Sequence, residues 1–122
     1  MVGMNAGRTP AEHLIALDRI DELQEIRRVD DGRVFIGSGV PYSRLTGSEV
    51  ATAFPALAQA SWTVGSPQIR EAGTIGGNLG TCSPAGDTLP VLAALGSRTG
   101  DTLPVLAALG SRVHLVSGTD RR

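Results

Sequence analysis

The chain has 122 residues, 11 basic and 12 acidic side chains, a formal net charge of −1 and 41% hydrophobic residues. These values describe one globular domain or part of one. All eleven basic residues are arginine and are interspersed with acids, which argues against a nucleic-acid partner or an anionic membrane surface. The longest apolar stretches, 89–95 and 103–109, are far shorter than the roughly 20 residues that span a bilayer. A single cysteine and a start that lacks a secretory signal predict a cytoplasmic protein.

The first forty residues predict a hairpin. Residues 20–23 indicate a helical turn and residues 24–29 a strand, and Asp30-Asp31-Gly32 is typical of a hairpin turn that returns into a partner strand at 33–36. Gly37-Ser38-Gly39 follows that strand. Because Tyr42 stands where a dinucleotide-binding fingerprint has its third glycine, we interpret this segment as a plain turn.

Two helices are predicted next, at residues 42–45 and 48–62, with Pro55 restarting or bending the second. The second helix carries apolar residues at spacings that give one face, which we expect in the core: Val50, Phe54, Leu57, Ala58 and Trp62.

Residues 65–86 are rich in glycine and lose any periodicity, so they predict a structured loop rather than a helix or a strand. Within them, residues 73–80 read GTIGGNLG. Successive glycines let a backbone approach a ligand closely, and consecutive N–H groups can form an anion-binding nest for a diphosphate. Asn78 can donate and accept hydrogen bonds, and Asp87 can accept from sugar or ribityl hydroxyls. The residues alone leave two readings open: a site for a nucleotide-like ligand, or a tight glycine loop with a structural role.

Residues 86–98 and 100–112 have the same thirteen-residue sequence, GDTLPVLAALGSR, with a period of 14. Two short copies do not make a repeat fold, which needs about three. The repeat favours a recent in-frame duplication, or an error in the gene sequence, over a functional pair of helices. In the first copy Asp87 is predicted to cap a helix that ends at Gly96. The second copy repeats this pattern from Asp101 to Gly110, and a strand follows at 113–116.

No residue is assigned to catalysis or to a metal. The chain has no lysine for a phosphate-binding P-loop, and His13 and His114 lie far apart in the sequence and belong to no metal-ligand or triad motif. Cys82 has no evident activating base and is interpreted as a small filler.

The run QIREAGTIGGNLGTCSPAGD, residues 68–87, closely resembles the signature of the FAD-binding (medium) subunit of molybdenum hydroxylases, the group of xanthine dehydrogenase and aerobic carbon monoxide dehydrogenase. The resemblance extends over nearly the whole chain. It implies an α+β fold, a mixed sheet with flanking helices that forms the central part of a two-part, PCMH-type FAD-binding domain. It also implies that Asp87 contacts the flavin nucleotide and that a loop wraps the FAD diphosphate, formed by Thr74, Ile75, Gly76, Gly77 and Asn78.

In such complexes, the resemblance implies, FAD relays electrons from iron–sulfur clusters on a separate subunit to an acceptor, and a third subunit carries the molybdenum cofactor. The family has an earlier glycine-rich FAD loop that would precede Met1, and its members continue beyond Arg122. We therefore expect residues 1–122 to form a single partial FAD-binding domain with a tandem duplication at 86–112. The alternative is a non-catalytic remnant or interaction fragment that no longer binds FAD tightly.

Overall fold

The N-terminal part of the fold is the predicted hairpin. A computed structural model describes residues 13, 15–29, 32–81, 86–99 and 113–115. After a 3₁₀ turn at Asp21–Gln24, strands β1 (Ile26–Arg28) and β2 (Val34–Ile36) pair antiparallel. Gly32 has φ 82°, the left-handed conformation that an Asp-Gly hairpin turn requires, while Asp30 and Asp31 lie outside the described residues. The hairpin prediction is confirmed.

Four strands form one sheet in the order β1-β2-β4-β3, in which β3 is Arg98–Thr99 and β4 is Val113–Leu115. The resemblance implied a mixed sheet, but all three pairings in the described part of the chain are antiparallel. For β1 and β2 the tight turn permits only an antiparallel pair, because parallel neighbours need a long crossover. The strand predicted at 113–116 is confirmed as β4, whereas β3 was not predicted. With helices packed on this sheet, the fold class is α+β.

The central strand β2 is buried on both faces. Val34 and Ile36 point into the core with the helices, as alternation along a strand requires. Phe35 points to the opposite face, where the guanidinium of Arg27, directly across on β1, lies 4.7 Å from the ring centroid. The aliphatic stem and charge of Arg27 therefore cover the aromatic ring on the side away from the core.

The predicted helices at 42–45 and 48–62 are confirmed as α1 (Tyr42–Leu45), α2 (Ser48–Ala53) and α3 (Pro55–Thr63). The break falls at Phe54, whose φ of −139° and ψ of 72° are not helical. Pro55 then begins α3, because the first helical position needs no backbone N–H. Four of the five residues assigned to the core face are buried: Val50, Phe54, Leu57 and Ala58.

The prediction for Trp62 is wrong, since this side chain is 61% exposed. The inward face of α3 is centred on Leu57, Ala58 and Ser61, and Trp62 lies beyond its edge. Ser61 is fully buried, and its hydroxyl donates to the carbonyl oxygen of Leu57 at 2.8 Å.

The glycine-rich segment is not the irregular loop that the sequence predicts, because it contains helices α4 (Pro67–Ala72) and α5 (Ile75–Thr81). Ser66 caps α4 by accepting the N–H of Ile69 at 3.3 Å, and proline follows at the first helical position. Thr74 Oγ1 accepts the N–H of Gly77 at 3.0 Å in the same way at the start of α5. The Thr74 cap offsets part of the low helix propensity of the glycines in α5.

The first copy of the repeat forms α6 (Thr88–Ala94). Gly96, which follows the helix in the left-handed conformation with φ 63°, prevents its continuation. The helix is confirmed, but the predicted cap is wrong. Asp87 has αR geometry and its side chain makes no capping bond, because a capping side chain needs an extended backbone to reach the first amides. The second copy, residues 100–112, lies outside the described residues. The interpretation of the repeat as a duplication rather than a functional pair of helices therefore stays a prediction.

Within the described ranges, one hydrophobic core joins the sheet to five of the six α-helices. Its buried members are Val34, Ile36, Val40, Tyr42, Leu45, Val50, Phe54, Leu57, Ile75 and Leu92. Across the described ranges, no helix combines the length and the apolar character needed to cross a membrane.

The end of α3 is closed by Arg70 from α4. Its Nη1 donates to the carbonyl oxygens of Trp62, Val64 and Gly65 at 3.0, 3.2 and 2.8 Å, and its guanidinium lies 5.1 Å from the Trp62 ring centroid. A cation at this position satisfies carbonyls that the helix leaves without a partner and is favoured by the helix dipole.

We expect Arg70→Met, which keeps the stem and removes the guanidinium, to lower the free energy of unfolding by about 1–2 kcal/mol. Urea denaturation followed by far-ultraviolet circular dichroism measures the change. Arg28→Met, at an exposed position on β1, is the matched control and should cost less than about 0.5 kcal/mol. Equal losses from the two variants would contradict the capping role.

Candidate functional site

The predicted binding segment is fixed to the turn that follows β2 by a short antiparallel ladder. Tyr42 N–H donates to the Gly73 carbonyl at 3.0 Å, and Ile75 N–H donates to the Val40 carbonyl at 3.2 Å. Gly76 N–H donates to the Ser38 carbonyl at 3.0 Å. An isolated bridge between residues 41 and 74 lies within this ladder. The start of α5 is therefore held in place by backbone bonds to a distant part of the sequence.

Glycine is required at position 76 by the closeness of this contact. A Cβ added there would lie 2.5 Å from the Ser38 Cβ and 2.6 Å from its carbonyl oxygen. On the other side of the same turn, a Cβ at Gly37 would collide with the backbone of Leu23. The Gly-Ser-Gly turn packs between two backbones, which supports its interpretation as a structural turn.

The amides at the start of α5 all have partners within the protein. Besides the two ladder bonds from Ile75 and Gly76, Gly77 N–H donates to Thr74 Oγ1 and Asn78 N–H donates to the Thr74 carbonyl at 3.1 Å. The sequence suggested that these consecutive N–H groups form a nest for a diphosphate. In the described conformation they hold the helix and its connection to the turn, so the side chains and the exposed backbone are what this segment offers to a ligand.

A polar network lies behind the segment, where α1, α5 and α6 meet. Asn78 Nδ2 donates to Thr88 Oγ1 at 3.2 Å, and the Tyr42 hydroxyl is hydrogen-bonded to the same oxygen at 3.2 Å. Thr88 is fully buried and Tyr42 is 2% exposed, whereas Asn78 is half-buried. The amide nitrogen of Asn78 is thus bonded to a hydroxyl inside the protein, while the residue as a whole is partly exposed.

The six predicted site residues differ in their exposure. Ile75 belongs to the core and Gly76 is buried, whereas Thr74, the cap of α5, and Asn78 are half-buried. Gly77 is exposed, as is Asp87.

Asn78 and Asp87 are brought to one place by Thr88, which follows Asp87 in the chain and accepts the hydrogen bond of Asn78. A Cβ added at Gly86 would lie 3.1 Å from Asn78 Oδ1, so glycine at this position keeps a side chain away from that oxygen. The site therefore contains two acceptors, an amide oxygen and an exposed carboxylate.

The sequence analysis missed Tyr42 and Thr88, the two residues that form this hydrogen-bond network with Asn78. The available signal was Tyr42 itself, the single tyrosine of the chain, on a short helix predicted next to the turn. A buried tyrosine needs a partner for its hydroxyl. Nothing in the local sequence identifies Thr88 as that partner, because it lies 46 residues away.

The electrostatics of the network are visible in Tyr42. Burial raises the pKa of its phenol above the ordinary value of 10.0, and the negative charge of Asp87 raises the pKa further. Hydrogen bonds with Thr88 and Asn78 act in the opposite direction and lower it. The sensitivity to Asp87 indicates that this carboxylate lies near the network.

Comparison with known proteins identifies the family of this chain. Residues 1–122 match the family described as the FAD binding domain in molybdopterin dehydrogenase. The chain belongs to this family, and its cofactor is FAD. The resemblance inferred from residues 68–87 is confirmed.

Curated relatives carry names that agree. The FAD-subunit of nicotinate dehydrogenase from Eubacterium barkeri is 37% identical over 83 residues, 67% of this chain and 28% of that protein. The medium chain of carbon monoxide dehydrogenase from Hydrogenophaga pseudoflava is 39% identical over 77 residues, 62% of this chain and 26% of that protein. The chain thus spans less than a third of the length of these relatives.

A solved structure has the same fold. The cyanide-inactivated form of the Cu,Mo-CO dehydrogenase contains a chain that matches with a TM-score of 0.77 and 32% sequence identity. The match covers 92% of this chain and 38% of that chain.

The groups present fit part of FAD. FAD carries ribose and ribityl hydroxyls, which are hydrogen-bond donors, and a diphosphate, which is an acceptor. Asn78 Oδ1 and the Asp87 carboxylate are acceptors that suit the hydroxyls. Exposed Gly77 and Gly80 lie three residues apart on α5 and so share a face without side chains, over which a ligand can approach the backbone.

The contact between α5 and the turn gives a matched pair of variants. We expect Gly76→Ala to destabilise the fold by about 1–3 kcal/mol, because the new methyl overlaps the Ser38 backbone. Gly77→Ala should change stability by less than about 1 kcal/mol. The closest atom to the new Cβ is Thr74 Oγ1 at 3.1 Å, and alanine favours a helix more than glycine does. Thermal unfolding of both variants tests this, and a larger loss from Gly77→Ala would contradict it.

The raised pKa of Tyr42 predicts a loss of stability in alkali. The unfolded chain ionises its tyrosine near 10.0, below the pKa of the folded state. The contribution of Tyr42 is therefore fully present below pH 10.0 and is lost as the pH rises through the pKa of the folded state. No lysine titrates in this range.

The near-ultraviolet absorbance of tyrosinate reports on this single group. We expect its midpoint above 10.0 in the native chain and near 10.0 in denaturant. Tyr42→Phe should remove the corresponding part of the pH dependence of unfolding. Identical midpoints in the native and denatured chain would contradict the buried network.

Proposed function

We propose that this chain holds FAD against the surface formed by α5 and the start of α6, as the flavin-binding part of an electron-transfer subunit in a molybdenum-containing dehydrogenase. Asn78 and Asp87 accept hydrogen bonds from hydroxyls of the flavin nucleotide, and the exposed face at Gly77 lets the cofactor lie close to the helix backbone. The observation that carries the proposal is the hydrogen bond from Asn78 to Thr88, the residue that directly follows Asp87, within a chain of the FAD binding domain family.

The remaining predicted residues support the site from inside. Ile75 anchors the start of α5 in the core, and Gly76 permits the close contact with Ser38. Thr74 caps the helix through its bond from Gly77. In this proposal Thr74–Asn78 border the diphosphate of FAD, and the rigid position of the segment comes from these internal bonds.

When bound, FAD supplies the redox chemistry through its isoalloxazine ring, and the protein supplies position and electrostatics. We propose that electrons reach the flavin from iron–sulfur clusters on a partner subunit and pass to an outer acceptor. A further partner subunit carries the molybdenum cofactor. The medium chains of carbon monoxide dehydrogenase among the relatives, from Hydrogenophaga pseudoflava and Afipia carboxidovorans, support a multi-subunit assembly. The single cysteine suits the reducing cytoplasm in which we expect the complex.

The repeat provides an internal control for the site. Asp87 and Asp101 stand in the same local sequence, Gly-Asp-Thr-Leu-Pro, but only Asp87 precedes the threonine that bonds Asn78. We expect Asp87→Ala to weaken FAD binding by about 1.5–3 kcal/mol, roughly ten- to a hundredfold in Kd. Asp101→Ala should have little effect.

Calorimetric titration of the full chain with FAD measures both variants. Equal losses from the two aspartates would contradict the assignment of the site to the first copy. Failure of the wild-type chain to bind FAD saturably would favour the alternative, a non-catalytic remnant or interaction fragment.

A further inference from the structure

We propose that Tyr42 and Thr88 are positioning residues, which hold the side chain of Asn78 so that its amide oxygen is presented to a ribose or ribityl hydroxyl of FAD. This inference rests on the proposed function and adds two residues to the site. Neither residue belongs to the glycine-rich segment. Asn78 lies on α5, whereas Tyr42 lies on α1 and Thr88 on α6.

The first step of the argument concerns hydrogen-bonding capacity. An asparagine amide has an oxygen that only accepts and a nitrogen that only donates. The nitrogen of Asn78 is bound by Thr88 Oγ1 at 3.2 Å. A threonine hydroxyl has two acceptor positions and one proton, so Thr88 can serve Asn78 and the Tyr42 hydroxyl together. The oxygen of Asn78 is then the end of the amide that remains for a ligand hydroxyl.

The second step concerns rigidity. Thr88 and Tyr42 are buried at 0% and 2% exposure, so water does not compete for their hydroxyls. The Tyr42 ring is part of the core, and its backbone N–H is bonded to Gly73 in the ladder that anchors α5. Thr88 is fixed by the docking of α6, in which Leu92 is 2% exposed. Asn78 is thus held by a chain of contacts that ends in the core.

The third step concerns the space around the amide oxygen. A Cβ at Gly86 would lie 3.1 Å from Asn78 Oδ1 and 3.0 Å from the Leu89 side chain. Glycine at this position keeps a side chain away from the acceptor. Asp87, which is exposed, follows Gly86 directly in the chain, so a second acceptor stands next to the glycine that borders Asn78 Oδ1.

The decisive experiment is a double-mutant cycle on the full chain, with FAD affinity as the measurement. We expect Tyr42→Phe to raise the Kd about three- to tenfold and Thr88→Val at least as much, whereas Thr88→Ser, which keeps the hydroxyl, should stay within about twofold. In an Asn78→Ala background, Tyr42→Phe should cause no further loss, because the side chain that it positions is absent.

A merely structural role gives a different pattern. If Tyr42 only stabilises the fold, its substitution lowers FAD affinity by the same factor with or without Asn78, and this result would overturn the proposal. Unchanged FAD affinity in Tyr42→Phe would also overturn it while leaving the proposed function intact. A wild-type chain that fails to bind FAD would overturn both. Should Thr88→Val not fold, Tyr42→Phe and Thr88→Ser provide the same comparison.

Two competitors distinguish the hydroxyl that Asn78 serves. FMN carries only the ribityl chain and ADP only the ribose, and each can be titrated as a displacer of FAD. The Kd of each competitor is calculated from its displacement curve with the FAD affinity of that same variant. A higher Kd for FMN alone in Asn78→Ala assigns the contact to the ribityl chain, and a higher Kd for ADP alone assigns it to the ribose. Unchanged Kd values for FAD and both competitors in Asn78→Ala would overturn the acceptor role.

Discussion

The contact between the turn after β2 and the start of α5 is the constraint on which the rest of the structure depends. Backbone bonds from Ile75 to Val40 and from Gly76 to Ser38 join segments more than thirty residues apart. They place the Ile75 side chain, which is fully buried, in the core, where such burial contributes about 1.5–3 kcal/mol. A side chain at position 76 would prevent the approach. One glycine therefore fixes the position of the helix that carries the site.

Tyr42 connects the core to the site. Its ring packs among the buried side chains, and its hydroxyl reaches Thr88, which binds Asn78. Helix α6 takes part in both regions, because Leu92 enters the core while Thr88 joins the polar network. The side chain of Asn78 on α5 is consequently linked to α6 through two buried residues. Preorganisation of this kind limits the entropy that a site loses on binding.

The glycine-rich motif contains buried and exposed glycines that its sequence does not distinguish. Gly76 is buried and serves the packing of α5, whereas Gly77 is exposed and leaves the helix surface open. The amides that such a motif can offer to a phosphate are here bonded within the protein. The two readings that the sequence left open, a ligand site and a structural glycine segment, are thus compatible, and adjacent residues are suited to each.

The sequence by itself determined the elements whose signals are local: the hairpin around Gly32, the restart of a helix at Pro55 and the end of α6 at Gly96. It also carried the family resemblance, because that resides in a contiguous motif. Only the tertiary structure decided that the segment after Gly65 is helical, that Trp62 faces solvent and that Thr88 supports Asn78. The physical reason is that these outcomes depend on partners distant in sequence. Each contact with a distant partner contributes to the free energy of folding about as much as local helix or strand propensity does. Sequence patterns do not show which residues form such contacts.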